Sequence, residues 1–370
     1  MWIGVTLIVV IFSPVFAANL LVILSLPIWK KTMDKPAFRP TQVLVLAVSL
    51  CLIGASSMPS CYAADAEAET KTKTEAKTES SASEKSLRGG DADKVTLVED
   101  MPPLLFWKAQ GDAASKGTVL CLHELGMHKG SFDDLGGKLS KEGYDVYSMD
   151  LRGFGGWAER GKEGRMDLKN TLADIKVTVE KLKKDGPDKQ IFLLGEAMGG
   201  ALALEAASKY PDIIAGTISA TPGGEHFNTF SNYLSVGSKM AVMPNKRYNK
   251  GEELVALGTP KKELQEAIKN DAGVRLDLSP RELIACQFYM YKTKRFAKRI
   301  KTMPVLIVQG ERDGESRPDG SRKVFDNLST DKKQYLSVKD GDHYVYEDTN
   351  VNDEAMKTTV AWLDKHTSTN

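Results

Sequence analysis

Apolar residues follow two rhythms along this chain, and each change of rhythm marks an element. The run GTVLCLHE (117–124) is almost continuously apolar, which predicts a strand covered on both faces. YDVYSMD (144–150), IFLLGEA (191–197), IIAGTIS (213–219), PVLIVQGERD (304–313) and KQYLSV (333–338) read as further strands. VTLVE (95–99) and LLFWKA (104–109) read as two short ones ahead of them. Between strands the spacing becomes helical. Leu168, Leu172, Ile175, Val179 and Leu182 recur at steps of four and three, making one apolar stripe. SFDDLGGKLSKEG (131–143) predicts a helix with Ser131 as N-cap. MGGALALEAASKY (198–210) predicts another, and VNDEAMKTTVAWLDKH (351–366) a closing amphipathic helix. Strand and helix alternate, so the expected fold class is α/β, a mostly parallel sheet with helices on both faces.

The alternation breaks between about 222 and 300, where helical or irregular sequence separates two sheet strands. This stretch reads as a cap over the C-terminal edge of the sheet, where open α/β sheets bind ligands. Within it Lys292, Lys294, Arg295, Lys298, Arg299 and Lys301 follow one another with no acidic residue between them. A solvated helix face accounts for them; attraction to an anionic lipid surface is the alternative.

Ahead of residue 93 the chain is of another kind. Residues 1–64 form an apolar leader in two runs. The first, 1–29, is long enough to cross a bilayer and is closed by Lys30 and Lys31. The second, 43–54, follows Lys35 and Arg39 and leads into small residues ending at Ala63 and Ala64, the order of a secretory signal peptide. The expectation is a signal peptide over 33–64 starting at Met33, with 1–32 an upstream extension or a membrane anchor. Residues 65–92 are almost wholly Ala, Glu, Lys, Thr and Ser. They cannot bury enough apolar surface to offset chain entropy and read as a disordered tether. The folded domain is expected over 93–370, exported to the periplasm or secreted, with membrane association through the leader or the basic cap face.

Composition acts mainly by exclusion. The 370 residues are 42% hydrophobic and 27% charged, ordinary globular values. A net charge of +1 gives no field that argues for nucleic acid or acidic substrates. Cys51 and Cys61 fall in the leader, and Cys121 and Cys286 alone remain for the domain. That is neither a disulfide framework nor zinc spacing, and both domain cysteines read as inert packing residues. No Cys/His/carboxylate cluster is visible, so neither a metal nor a cofactor is expected.

Five motifs carry candidate chemistry. Gly195-Glu196-Ala197-Met198-Gly199-Gly200 joins the strand IFLLG to the helix after it. Asp313 ends PVLIVQGERD, and His343 lies in Asp340-Gly341-Asp342-His343-Tyr344 after the last strand. His123-Glu124-Leu125-Gly126 follows the first long strand, and Asp150-Leu151-Arg152-Gly153-Phe154-Gly155 the next. With these motifs in this order, residues from about 95 to 366 resemble the α/β-hydrolase family, in its monoacylglycerol-lipase and lysophospholipase branch. The resemblance implies the α/β-hydrolase fold with a helical cap inserted late in the sheet. The branch writes its nucleophile elbow Gly-Glu-Ser-Met-Gly-Gly, so Ala197 stands at the nucleophile position without a hydroxyl. The resemblance further implies Asp313 as the acid, His343 as the base, and the backbone N–H groups of Leu125 and Met198 as oxyanion donors. Glu311 and Asp342 are rivals for the acid. Glu124 departs from the branch's His-Gly-x-Gly, and a carboxylate beside a developing oxyanion opposes it unless turned away or neutralised. The dienelactone-hydrolase branch carries a glutamate in the same loop. Trp157 stands where a serine usually follows, and His128 and His226 read as surface or rim residues.

An alanine methyl cannot attack an acyl carbon. By analogy with triad knockouts, only a residual ~10³–10⁴-fold acceleration over water would survive. The retained leader, Glu124 and Trp157 serve no purpose in a substrate-trapping variant, so Ala197 reads as natural. Three functions follow. The chain is a relative of carboxylic-ester hydrolases with impaired or absent covalent ester hydrolysis, or a non-catalytic acyl or lipid binder. The third is an enzyme in which the His343–Asp313 dyad, with Glu124, acts without a covalent nucleophile.

Overall fold

Strand and helix alternate as the hydrophobic pattern predicts. The computed structural model describes residues 93–94, 101–111, 113–159, 164–225, 236–237 and 239–367. The leader, the tether, the strand expected over 95–99 and His226 lie outside the described residues. The chain divides into two units, Met1–Ser80, which also lies outside them, and Ser81–Asn370.

The strands are β1 (Asp93–Lys94), β2 (Leu104–Trp107), β3 (Thr118–Leu122), β4 (Asp145–Met149), β5 (Ile191–Glu196), β6 (Gly216–Ala220), β7 (Tyr248–Asn249), β8 (Asp277–Leu278), β9 (Val305–Gly310) and β10 (Lys333–Val338). Eight of them form one sheet in the order β1-β2-β4-β3-β5-β6-β9-β10. From β4 to β10 all neighbours are parallel; β2 runs antiparallel to β4 and β1 to β2. The order reverses between β3 and β5. That switch point opens a crevice at the strands' carboxyl ends, where ligands bind in such sheets.

The helices are α1 (Asp133–Lys141), α2 (Gly156–Glu159), α3 (Leu168–Asp185), α4 (Met198–Lys209), α5 (Gly251–Gly258), α6 (Lys262–Asn270), α7 (Pro280–Met290), α8 (Thr293–Ala297), α9 (Pro318–Asp326) and α10 (Asp353–Thr367). The period-two alternation of the strands sorts their side chains into two cores. Leu120, Leu122, Leu193, Val305 and Ile307 pack with residues of α3, α4, α8 and α9. Val119, Cys121, Phe192, Leu194, Leu306 and Val308 pack on the other face with residues of α1 and α10. No helix among the described residues is long and apolar enough to cross a membrane.

Three local expectations are corrected. Ser131 does not cap α1. A 3-10 turn, Lys129–Phe132, precedes that helix; His128 caps the turn and Ser131 returns the bond from the third position. His128 is therefore no surface residue: it is 6% exposed, and its Nε2 lies 3.0 Å from Asp271 Oδ2. The cap is also not wholly helical or irregular, because β7 and β8 pair as a small antiparallel ribbon within it. α5 and α6 bring Val255, Leu264 and Ile268 against Met127 and Tyr344 in a third, smaller core. The cap thus rests on the segments after β3 and β10. Arg275 N–H donates to the Gly126 carbonyl (2.7 Å), and His343 N–H to that of Gly258 (2.9 Å).

Candidate active site

The elbow after β5 is forced by its glycines. A Cβ on Gly199 would lie 1.9 Å from the Leu122 carbonyl oxygen, and one on Gly195 would lie 2.3 Å from Gly199. With both absent, α4 starts directly against β3. Ala197, between them, takes φ 43° and ψ −107°, a left-handed conformation that costs a non-glycine residue energy and clusters at functional positions. It is 5% exposed and lines a cavity of about 150 Å³ under the cap.

His343 and Asp313 meet as the motif order predicts. His343 Nδ1 lies 2.8 Å from Asp313 Oδ2, and both side chains are buried. Asp313 is held by its own turn: Oδ1 accepts from the N–H groups of Glu315 (2.9 Å) and Ser316 (2.8 Å), and Oδ2 from Gln309 Nε2 (2.9 Å). Burial opposes the charge on Asp313, but His343 and these donors outweigh it and hold the carboxyl below its ordinary value. The rivals are placed elsewhere. Glu311 is exposed and accepts from Ser337 Oγ (2.9 Å), while Asp342 accepts from Thr259 Oγ1 (2.6 Å).

The other imidazole nitrogen faces acid as well. Glu124 Oε1 is 3.3 Å and Glu315 Oε2 3.9 Å from His343 Nε2. Burial lowers the affinity of His343 for a proton, but Asp313, Glu124 and Glu315 more than compensate and raise its pKa well above the ordinary value. Burial pushes Glu315 up to about 8, against the charge of His343.

Glu124 is turned inward by a specific frame. His123 Nδ1 donates to the Glu124 carbonyl (2.6 Å), and His123 Nε2 accepts from Leu151 N–H (2.9 Å). Burial lowers the His123 pKa to about 4, which keeps the ring neutral and able to do both. Glu124 N–H donates to Glu347 Oε1 (2.6 Å). Leu125 and Met198, the expected oxyanion residues, line the same cavity as Ala197 and His343. Its other walls are largely apolar, with Val236, Leu254, Leu257, Leu283, Ile284 and Met290 among them.

Asp150, Arg152 and Trp157 brace this frame from outside. Asp150 accepts from Lys129 N–H, Lys129 Nζ and Gly156 N–H, each at 2.8 Å. Arg152 forms a two-point contact with Asp174 (2.7 and 2.8 Å) and stacks its guanidinium on Trp157. Three acidic residues that the motifs did not single out also belong here: Glu315, Glu196 and Glu347. Glu196 Oε1 and Oε2 accept from the N–H groups of Val345 (2.6 Å), Tyr346 (3.0 Å) and Glu347 (2.7 Å), fixing the chain just after His343. Glu196 matches the glutamate of the elbow motif without a role assigned to it there, while the signal of Glu315 is positional only, two residues after Asp313. Nor does the sequence place Glu124, Glu315 and His343 together, although each offers a metal-ligating atom and those atoms lie within 4.8 Å of one another. That cluster corrects the expectation of no Cys/His/carboxylate grouping.

This sheet order, elbow and His–Asp pair define an α/β-hydrolase. Residues 113–350 match the sequence model of the family described as serine aminopeptidase, S33, and the chain belongs to that family, in its monoacylglycerol-lipase branch. The monoglyceride lipase of Saccharomyces cerevisiae is 25% identical over 301 residues, covering 72% of this chain and 90% of that protein. The Homo sapiens monoglyceride lipase is 24% identical over 274 residues, covering 71% and 87%. Among solved structures, the monoacylglycerol lipase of Paleococcus ferrophilus superposes with a TM-score of 0.60 at 24% identity, covering 72% of this chain and 99% of that one. A soluble variant of the Saccharomyces cerevisiae monoglyceride lipase, in complex with a substrate analogue, gives 0.65 at 21% identity, covering 77% and 98%.

Proposed function

We propose that this chain binds a lipid-like ester ligand under its cap and does not perform covalent ester hydrolysis. One observation carries the reading: the nucleophile position, with its strained backbone kept, holds the methyl of Ala197 in the cavity wall beside His343. The acid–base pair remains, but the base has no hydroxyl at the elbow to activate. The largely apolar lining suits an acyl chain. The relatives named monoglyceride lipases support a glycerol ester as the ligand class. Leu125 and Met198 would hold the ester carbonyl through their backbone N–H groups.

The test is equilibrium binding of an ether-linked monoacylglycerol analogue to the full chain, alongside turnover of p-nitrophenyl butyrate. Saturable binding with no turnover supports the reading; turnover by the unmodified chain through an acyl-enzyme rejects it. The contact of Glu124 with His343 Nε2 favours a second reading, in which His343 moves a proton on a bound ligand without a covalent step. There His343→Ala abolishes turnover; in a pure binder it leaves ligand binding unchanged.

The leader pattern supports export, with the domain from residue 93 onward reached through the tether. N-terminal sequencing of the mature protein beginning after Ala64 would agree, and a retained Met1 would reject cleavage.

A further inference from the structure

Glu124, Glu315 and His343 converge on one point of the cavity wall. All three are buried, at 5%, 9% and 0% exposure. The distances from His343 Nε2 to Glu124 Oε1 and Glu315 Oε2 are 3.3 and 3.9 Å. Two donors bound to one small cation in a tetrahedral site stand about 3.4 Å apart, so the three atoms need little movement to share an ion.

Two further observations point to a cation. Glu124 Oε2 is buried at the cavity and has no hydrogen-bond partner among the described residues. A buried carboxylate oxygen left in this state is costly, and a cation supplies what it lacks. Asp313 takes Nδ1 of His343, which leaves Nε2 directed at Glu124 and Glu315. A carboxylate on one imidazole nitrogen and a metal on the other is the common way of orienting a histidine ligand and raising its basicity.

We propose that Glu124, Glu315 and Nε2 of His343 form a binding site for a divalent transition cation, zinc first, with an open coordination position facing the cavity. One imidazole nitrogen with two carboxylates suits zinc, whereas magnesium and calcium prefer oxygen alone. Three protein ligands with a free position is the arrangement of zinc sites that take up water or a ligand oxygen. In a working serine hydrolase a cation on Nε2 would disable the base. Ala197 removes that conflict. The site goes beyond the lipid-binding reading and does not depend on it.

The test titrates zinc into chelator-stripped full chain by calorimetry, with magnesium as the comparison. The expected result is about one zinc per chain, with Glu124→Gln or Glu315→Gln weakening it at least about tenfold and Asp313→Asn weakening it about 10–100-fold through the histidine. Thermal unfolding without zinc shows whether each variant folds. X-ray absorption on the zinc-loaded unmodified chain needs no variant: a nitrogen-and-oxygen shell is expected. Absence of saturable zinc binding, an equal response to magnesium, a sulfur shell, or affinity unchanged in folded Glu124→Gln would each overturn the site. Binding of the ether lipid is measured on the zinc-free chain, so rejection of the cation site leaves that reading standing, and the converse.

Discussion

Glu124 Oε1 lies 3.3 Å from His343 Nε2, and both side chains are buried in the wall that Ala197 shares. The base therefore already holds a partner on the nitrogen that would serve a serine. Restoring the hydroxyl alone leaves that partner in place and leaves a carboxylate beside the developing oxyanion. Ala197→Ser is expected to hydrolyse p-nitrophenyl butyrate poorly. Ala197→Ser combined with Glu124→Gly, which also recreates His-Gly-x-Gly, is expected to exceed it at least about 100-fold in kcat/KM. Equal rates in the two variants would clear Glu124 of any inhibitory part.

The elbow's geometry yields a stability prediction. Gly199→Ala drives a Cβ to 1.9 Å from backbone that cannot move away, and should cost more than about 4 kcal/mol or prevent folding. Gly137, in α1, has open space where its Cβ would go. Gly137→Ala should therefore stabilise by about 0.5–1 kcal/mol, from helix propensity alone. Chemical denaturation of the two variants beside the unmodified chain measures both.

Glu196 carries the segment after His343. Glu196→Ala leaves the N–H groups of Val345, Tyr346 and Glu347 without their acceptor, at a cost of about 1–3 kcal/mol for each that finds no water. The expected outcome is a loss of at least about 2 kcal/mol in urea unfolding. A loss below half of that would mean that water replaces the carboxylate.

The cap's anchor sets an acid limit. Arg275, whose N–H holds Gly126, bonds Glu282 Oε1 at 2.7 Å. Burial works against the charge on Glu282, but Arg275 and Ser279 overcome it and lower its pKa from 4.5. A depressed carboxyl contributes stability that is fully present above 4.5 and lost as pH falls through the lower folded value. Acid unfolding should therefore steepen below pH 4.5, and Glu282→Gln should flatten that limb while leaving the chain less stable at neutral pH. Parallel acid limbs in the two proteins would exclude the pair as a source.

Much of this was readable from residue order. The apolar runs located β3, β5 and β9, because strands buried on both faces cannot alternate, and the helical stripe located α3. Asp313 and His343 were readable because each ends a strand-to-loop passage in a fixed order. What escaped depends on long-range packing. His128 reads as a surface or rim residue from the sequence, but Asp271, 143 positions away, packs against it and it is buried. Glu315 and Glu196 gave no periodic signal, since a buried carboxylate is defined by partners distant in sequence. The ribbon β7–β8 is two residues per strand, too short for any period to register.

No covalent acyl-enzyme is expected to form on this chain. Intact-mass spectrometry after treatment with a fluorophosphonate, which phosphonylates activated serines, measures this. The unmodified chain is expected to keep its mass, while Ala197→Ser/Glu124→Gly gains one adduct mapping to position 197. Stoichiometric labelling of the unmodified chain, lost on His343→Ala, would reveal another activated nucleophile and contradict that expectation.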